Sequence, residues 1–153
     1  MSGCSLIITK FLDAGFKDFR WLAYMLATTW HETGFTMQPV TEYGSQKYLE
    51  SKPYYPYIGR GFVQITHKTN YEKYGIANNP DLALEPEMAA YILIHGMVNG
   101  VFTGRKLEQY FNDKINDPFN ARKIINILDR AARIAEYHNK FLKVLYDSYV
   151  LAG

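Results

Sequence analysis

The chain has 153 residues, 48% hydrophobic and 21% charged, which suits one folded domain over residues 1–153 and excludes a disordered or fibrous class. Its net charge is +2, from 17 basic and 15 acidic residues, too little to imply nucleic-acid binding. Cys4 is the one cysteine, so no intramolecular disulfide is possible and the fold must rest on its core.

The aromatic share is unusual, with 13 Tyr, 9 Phe and 2 Trp. Tyrosine joins a flat apolar face to a hydrogen-bonding tip, which suits sugar binding as well as core packing. The opening run MSGCSLIITKFLDAGFKDF has no charged segment ahead of a long apolar stretch, so no secretory signal is read. No apolar run approaches the ~18 residues of a membrane helix, so stable membrane insertion is not expected. The expectation is a chain made and folded in a cytoplasm, with delivery by another agent if its substrate lies elsewhere.

In chain order, the first helix is predicted over Ser5 to Ala14, ending at Gly15. Asp18 is a good N-cap for a second helix, with Leu22, Met25, Leu26 and Thr29 on one face and a stop near Gly34. From Phe35 to Arg60 the chain is irregular and rich in Pro, Gly and Tyr, and prolines keep KPYYPY (52–57) out of a helix. Its length marks it as a candidate functional loop. GRGFVQIT, Gly59 to Thr66, suits a short strand or hairpin. Further helices are predicted over Thr69 to Tyr74, Glu85 to Val98 with Pro86 at its start, and Lys106 to Phe111. Pro118 to Ile127 and Asp129 to Val150 are expected to give one long helix or two abutting ones. The fold class expected is mainly α (α+β), a helical domain with one small β-hairpin element lining a cleft.

The chemistry narrows by elimination. His31 and Glu32 begin like a zinc-protease helix, but the second histidine that HExxH requires is replaced by Phe35. His67, His95 and His138 share no ligand spacing, so no metal site and no cofactor are expected. Cys4 has no nearby histidine, and no GxSxG occurs. Paired carboxylates remain. Glu32, in the last turn of its helix, faces the negative end of the helix dipole, an unfavourable place by ~0.3–1 kcal/mol. Glu42 follows across a Gly/Pro turn, and Glu50 lies further along the same loop. A glycosidase needs one carboxylic acid to protonate the leaving oxygen and one carboxylate across the cleft. In GRGFVQIT, Gln64 and Thr66 alternate with Val63 and Ile65; on a strand, the polar pair shares one face.

WHETGF, then a Glu in TEYG, then YIGRGFVQIT followed by TNY, together resemble the family 19 glycoside hydrolases: chitinases and their relatives among bacteriophage endolysins. The likeness is to the compact phage-type enzymes, and it covers most of the chain from RWLAYMLATTWHET onward. It implies a lysozyme-like superfamily fold and hydrolysis of β-1,4 bonds between amino sugars. Residue by residue, Glu32 matches the general acid and Glu42 the second carboxylate, with Glu50 as the alternative. Thr66 takes the position that holds the attacking water. Gln64 and Asn70 match cleft-lining residues, and Tyr43, Arg60 and Asn126 complete the implied substrate-binding set. KIINILDRAARIAEY resembles the family's Ile-Asn-Gly-Gly segment, but Ile127 and Leu128 replace the glycines and the spacing to Arg130 or Arg133 is shortened.

The implied reaction is a single displacement with inversion, with His31 able to orient Glu32. Burial against Trp30 or the Tyr-rich loop, or a facing carboxylate, is expected to favour a protonated Glu32. Peptidoglycan is expected as the polymer, with chitin as the alternative. The protein is expected to act as a monomer that reaches the wall through a holin or aboard a virion. A silent wall-binding or virion-structural protein that retains the fold is the competing expectation.

Overall fold

The computed structural model describes residues 2–152. It is mainly helical, with one two-stranded antiparallel sheet. Helix α1 spans Gly3–Asp13 and starts two residues earlier than predicted, because the Ser2 hydroxyl caps it by accepting from the Ser5 amide at 3.2 Å. Helix α2, Phe19–Glu32, begins as predicted on Asp18, whose carboxylate accepts from the Arg20 amide at 2.9 Å. Leu22, Met25, Leu26 and Thr29 are all buried along it. Each of the three apolar side chains is worth roughly 1.5–3 kcal/mol when removed from water.

Between α2 and the next long helix the chain builds the sheet and two short helices. Strand β1, Val40–Thr41, pairs antiparallel with β2, Arg60–Gly61, placing Val40 opposite Gly61 and Thr41 opposite Arg60. Helix α3, Gln46–Glu50, lies inside the loop predicted to be irregular, capped by the Ser45 hydroxyl. Arg60 and Ile65 exchange backbone hydrogen bonds at 3.2 and 3.0 Å, closing a tight hairpin. Helix α4, Lys68–Lys73, follows at once.

Helix α5, Pro86–Asn99, starts with proline in its first turn, where a missing N–H costs nothing, and ends on left-handed Gly100. Helix α6, Ala131–Ala152, packs along α2 in the most extensive contact between elements. In that contact His138 is buried, stacked on Phe111 at 5.1 Å and tilted against Tyr24 at 5.8 Å. Burial lowers the His138 pKa to about 4.

Two predicted helices shrink. Residues 106–111 form only a 3₁₀ turn, Leu107–Gln109, and 118–127 only another, Asn120–Ile124. The second is divided from α6 by Arg130, whose φ of +59° is incompatible with a continuous helix. No helix among the described residues is long and apolar enough to cross a membrane.

Candidate functional site

Glu32 is the last residue of α2. Its side chain is 18% exposed, and it opens onto a groove of about 420 Å³. Around it the groove is lined by Gln64, Thr66 and Asn70 from the hairpin and α4, and by Phe102, Ile125 and Asn126 from the later half of the chain. Five of the residues implied by the resemblance therefore meet in one place: Glu32, Gln64, Thr66, Asn70 and Asn126.

The partner of Glu32 is a cation. Arg122 donates through Nη1 to Glu32 Oε1 at 3.0 Å, and through Nε to the Asp129 carbonyl at 2.8 Å. Its side chain is 2% exposed. No hydrogen bond among the described residues reaches Glu32 Oε2. The ion-pair partner of Glu32 among the described residues is therefore positive, and the groove lining holds no second carboxylate. Sequence reasoning looked for an arginine after Asn126, at Arg130 or Arg133, and missed the one before it. The signal was present: Arg122 lies four residues ahead of Asn126, and the Asn126 amide donates to the Arg122 carbonyl at 2.9 Å. His31, adjacent in sequence, has its pKa lowered by burial, against the opposing pull of Glu32.

Gln64 enters the groove from a turn, which corrects the strand alternation. Its φ is +59°, a conformation non-glycine residues seldom adopt, and its side-chain amide anchors it by donating to the carbonyls of Val40 at 2.8 Å and Gly61 at 3.1 Å. Thr66 Oγ1 donates to the Gln64 carbonyl at 2.9 Å, which leaves the hydroxyl's lone pairs free to accept. Asn70 Nδ2 donates to the Thr66 carbonyl at 2.9 Å. Each of the three polar side chains is therefore braced on backbone carbonyls, from the hairpin into α4.

Glu42 follows β1 and is fastened to Gly59 twice: its amide donates to the Gly59 carbonyl at 2.7 Å, and its Oε1 accepts from the Gly59 amide at 2.7 Å. It is not among the residues lining the Glu32 groove. Gly59 lies between Glu42 and Gln64, since a Cβ there would come within 2.8 Å of Gln64 Oε1 and 3.3 Å of the Glu42 Cβ. Glu50 is exposed and accepts from Gln46 Nε2 at 2.8 Å, away from the groove.

Two implied substrate contacts sit elsewhere. Arg60 is a structural residue: its guanidinium is buried and engaged by the Pro56 carbonyl at 2.8 Å, the Tyr71 hydroxyl at 3.0 Å and Asp81 at 3.2 Å. Its Nη1 is spent on Pro56 and Tyr71, and Arg60 is not among the residues lining the groove. Tyr43 is exposed and leans over Gly34, its hydroxyl 3.4 Å from the Thr33 carbonyl. Tyr54 and His67 line the groove and were not singled out from the sequence. Among the described residues, no three His, Cys, Asp or Glu side chains gather as a metal site would require. No family model, curated protein or solved structure matches the chain.

Proposed function

We propose that the protein is a peptidoglycan-degrading glycoside hydrolase of lysozyme-like fold, an endolysin-type enzyme cleaving β-1,4 bonds between amino sugars. One observation carries the reading: Glu32 presents a single unpartnered carboxyl oxygen to a groove walled by Gln64, Thr66, Asn70 and Asn126. A groove with one acid and several neutral hydrogen-bonding side chains suits an uncharged sugar chain with a bond to be protonated.

In this mechanism Glu32 donates its proton from Oε2 to the glycosidic oxygen. Arg122, fixed on Oε1, then stabilises the carboxylate that remains. A water attacks the anomeric carbon from the opposite face, resting on the lone pairs of Thr66 Oγ1. The water's proton is assigned in this reading to Glu42, which the Gly59 amide holds beside Gln64 and outside the groove lining, and the configuration inverts. The protein works as a monomer, carried to the wall through a holin or in a virion. Chitin is the alternative polymer.

The Glu32–Arg122 pair also favours a second reading. It is an inter-element ion pair with a buried arginine, and such a pair also serves as a lock in a wall-binding or virion-structural protein with no activity. Glu32→Gln separates the two. The amide oxygen keeps the Arg122 bond, but the side chain cannot give up a proton. Wild-type protein is expected to clear outer-membrane-permeabilised bacteria and to release fragments ending in reducing MurNAc. Glu32→Gln should still fold cooperatively and lose roughly 10²–10⁴-fold in rate. A wild type inert on wall and on chitin, or a Glu32→Gln protein as lytic as wild type, removes the hydrolase reading.

A further inference from the structure

The groove at Glu32 does not end at the hairpin. Tyr54 and His67, whose rings meet edge to face at 5.1 Å, form part of its wall and also part of a second depression of about 410 Å³. That depression is completed by Pro53, Tyr55, Tyr57 and Lys68. The two hollows therefore adjoin across the Tyr54–His67 wall.

The second hollow is shaped by backbone hydrogen bonds and by Tyr57, which packs against the core. His67 has a φ of +74°, fixed where its amide donates to the Tyr57 carbonyl at 2.9 Å. Tyr57 is turned inward, its hydroxyl donating to the Ala77 carbonyl at 3.2 Å. Tyr55 is exposed, its hydroxyl accepting from Gln46 Nε2 at 3.3 Å. Lys68 carries the one permanent charge in the lining. Among the described residues its one ion-pair partner is Glu72, at 3.7 Å, and both side chains are more than half exposed. A pair so long and so exposed holds its members weakly, which leaves the ammonium free to take another anion.

We infer that this hollow is a subsite for a neighbouring sugar of the same polymer, and that it selects an anionic glycan. The aromatic faces of Tyr54 and Tyr55 cover the apolar side of a sugar ring, and Lys68 takes a carboxylate from its substituent. The inference rests on the polysaccharide reading above and deepens it, because a neutral chitin chain offers Lys68 nothing to pair with.

The test uses Glu32→Gln as the non-cleaving parent and measures pelleting on purified sacculi and on chitin beads. Adding Lys68→Glu is expected to weaken sacculus binding about tenfold and leave chitin binding within about twofold. Lys68→Gln should fall between parent and Lys68→Glu, which guards against a folding defect in the charge reversal. Added salt should weaken sacculus binding of the parent more than that of Lys68→Glu. Tyr55→Ala should weaken binding to both polymers. If Lys68→Glu and Lys68→Gln bind sacculi as the parent does, or lose both polymers equally, the subsite is wrong while clearing by the wild type still stands. If the parent binds neither polymer and the wild type clears nothing, the polysaccharide reading fails and takes this inference with it.

Discussion

Ten residues separate Glu32 from Glu42, yet they are held in opposite ways. Glu32 ends a helix whose buried face is set by packing, and its oxygen is gripped by a side chain from the far half of the sequence. Glu42 stands on a loop and is gripped by the backbone of Gly59. The helical region around α2, α5 and α6 is determined by apolar spacing. The loop region is determined by unusual backbone angles: Phe35, Met37, Gln64 and His67 all have positive φ without being glycine. Strain of this kind costs of order 1–3 kcal/mol per residue and persists where the surroundings over-determine it. The groove lies where the rigid helix end meets the strained loop.

The sharpest way to break this contrast is to exchange the two loop carboxylates. Glu42→Gln is expected to slow wall clearing about 10²–10⁴-fold, as loss of a general base does. Glu50→Gln should leave the rate within about twofold, because its carboxylate is exposed and bonded to Gln46. Initial rates of turbidity loss decide, and the opposite ranking would move the base to Glu50.

On the helical side, Arg122→Ala strips Glu32 of its partner and the Asp129 carbonyl of its donor. Denaturant unfolding should register a loss of about 3–4 kcal/mol, in the range for breaking a buried pair. A cost under about 1 kcal/mol would show that the pair does not lock α2 to the later chain.

His138 tests the α2–α6 contact through pH. Its folded pKa, about 4, lies below the ordinary value of 6.5. Between those values the unfolded chain binds a proton that the native state refuses, so stability is complete above pH 6.5 and falls as pH drops toward 4. The loss should approach about 3 kcal/mol and should be absent from His138→Phe, compared by urea titration across that window. Parallel pH profiles for the two proteins would place the acid sensitivity elsewhere.

The smallest effect belongs to the turn between the two regions. Gly34 has a φ of +58°, and a Cβ there would approach the Tyr43 hydroxyl to 2.6 Å. Gly34→Ala should cost about 1–2 kcal/mol in thermal unfolding. Adding Tyr43→Ala should recover only the part due to the clash.

The helical region was legible in the sequence wherever a cap and an apolar face agreed. Asp18 opened α2, Pro86 opened α5, and Leu22, Met25 and Leu26 were buried as the spacing required. Residues 106–111 and 118–127 shortened to 3₁₀ turns, and Arg130 broke what periodicity alone would have joined. The site was legible in its residue types more than in its geometry. Glu32, Gln64, Thr66, Asn70 and Asn126 do converge, but Gln64 does so from a turn. Arg60 looked available between two glycines, and instead it is buried against Tyr71 and Asp81. Arg122 was missed because the pairing depends on tertiary packing across 90 residues, which local pattern does not encode.

That same span sets an order in time. A ribosome releases Glu32 long before it releases Arg122, and Phe102, Ile125 and Asn126 also emerge late. A half-synthesised chain holds the carboxylate and the hairpin without the guanidinium or the far wall of the groove. A translation product that stops between Phe35 and Arg122 carries WHETGF intact and lacks the surroundings that give it meaning.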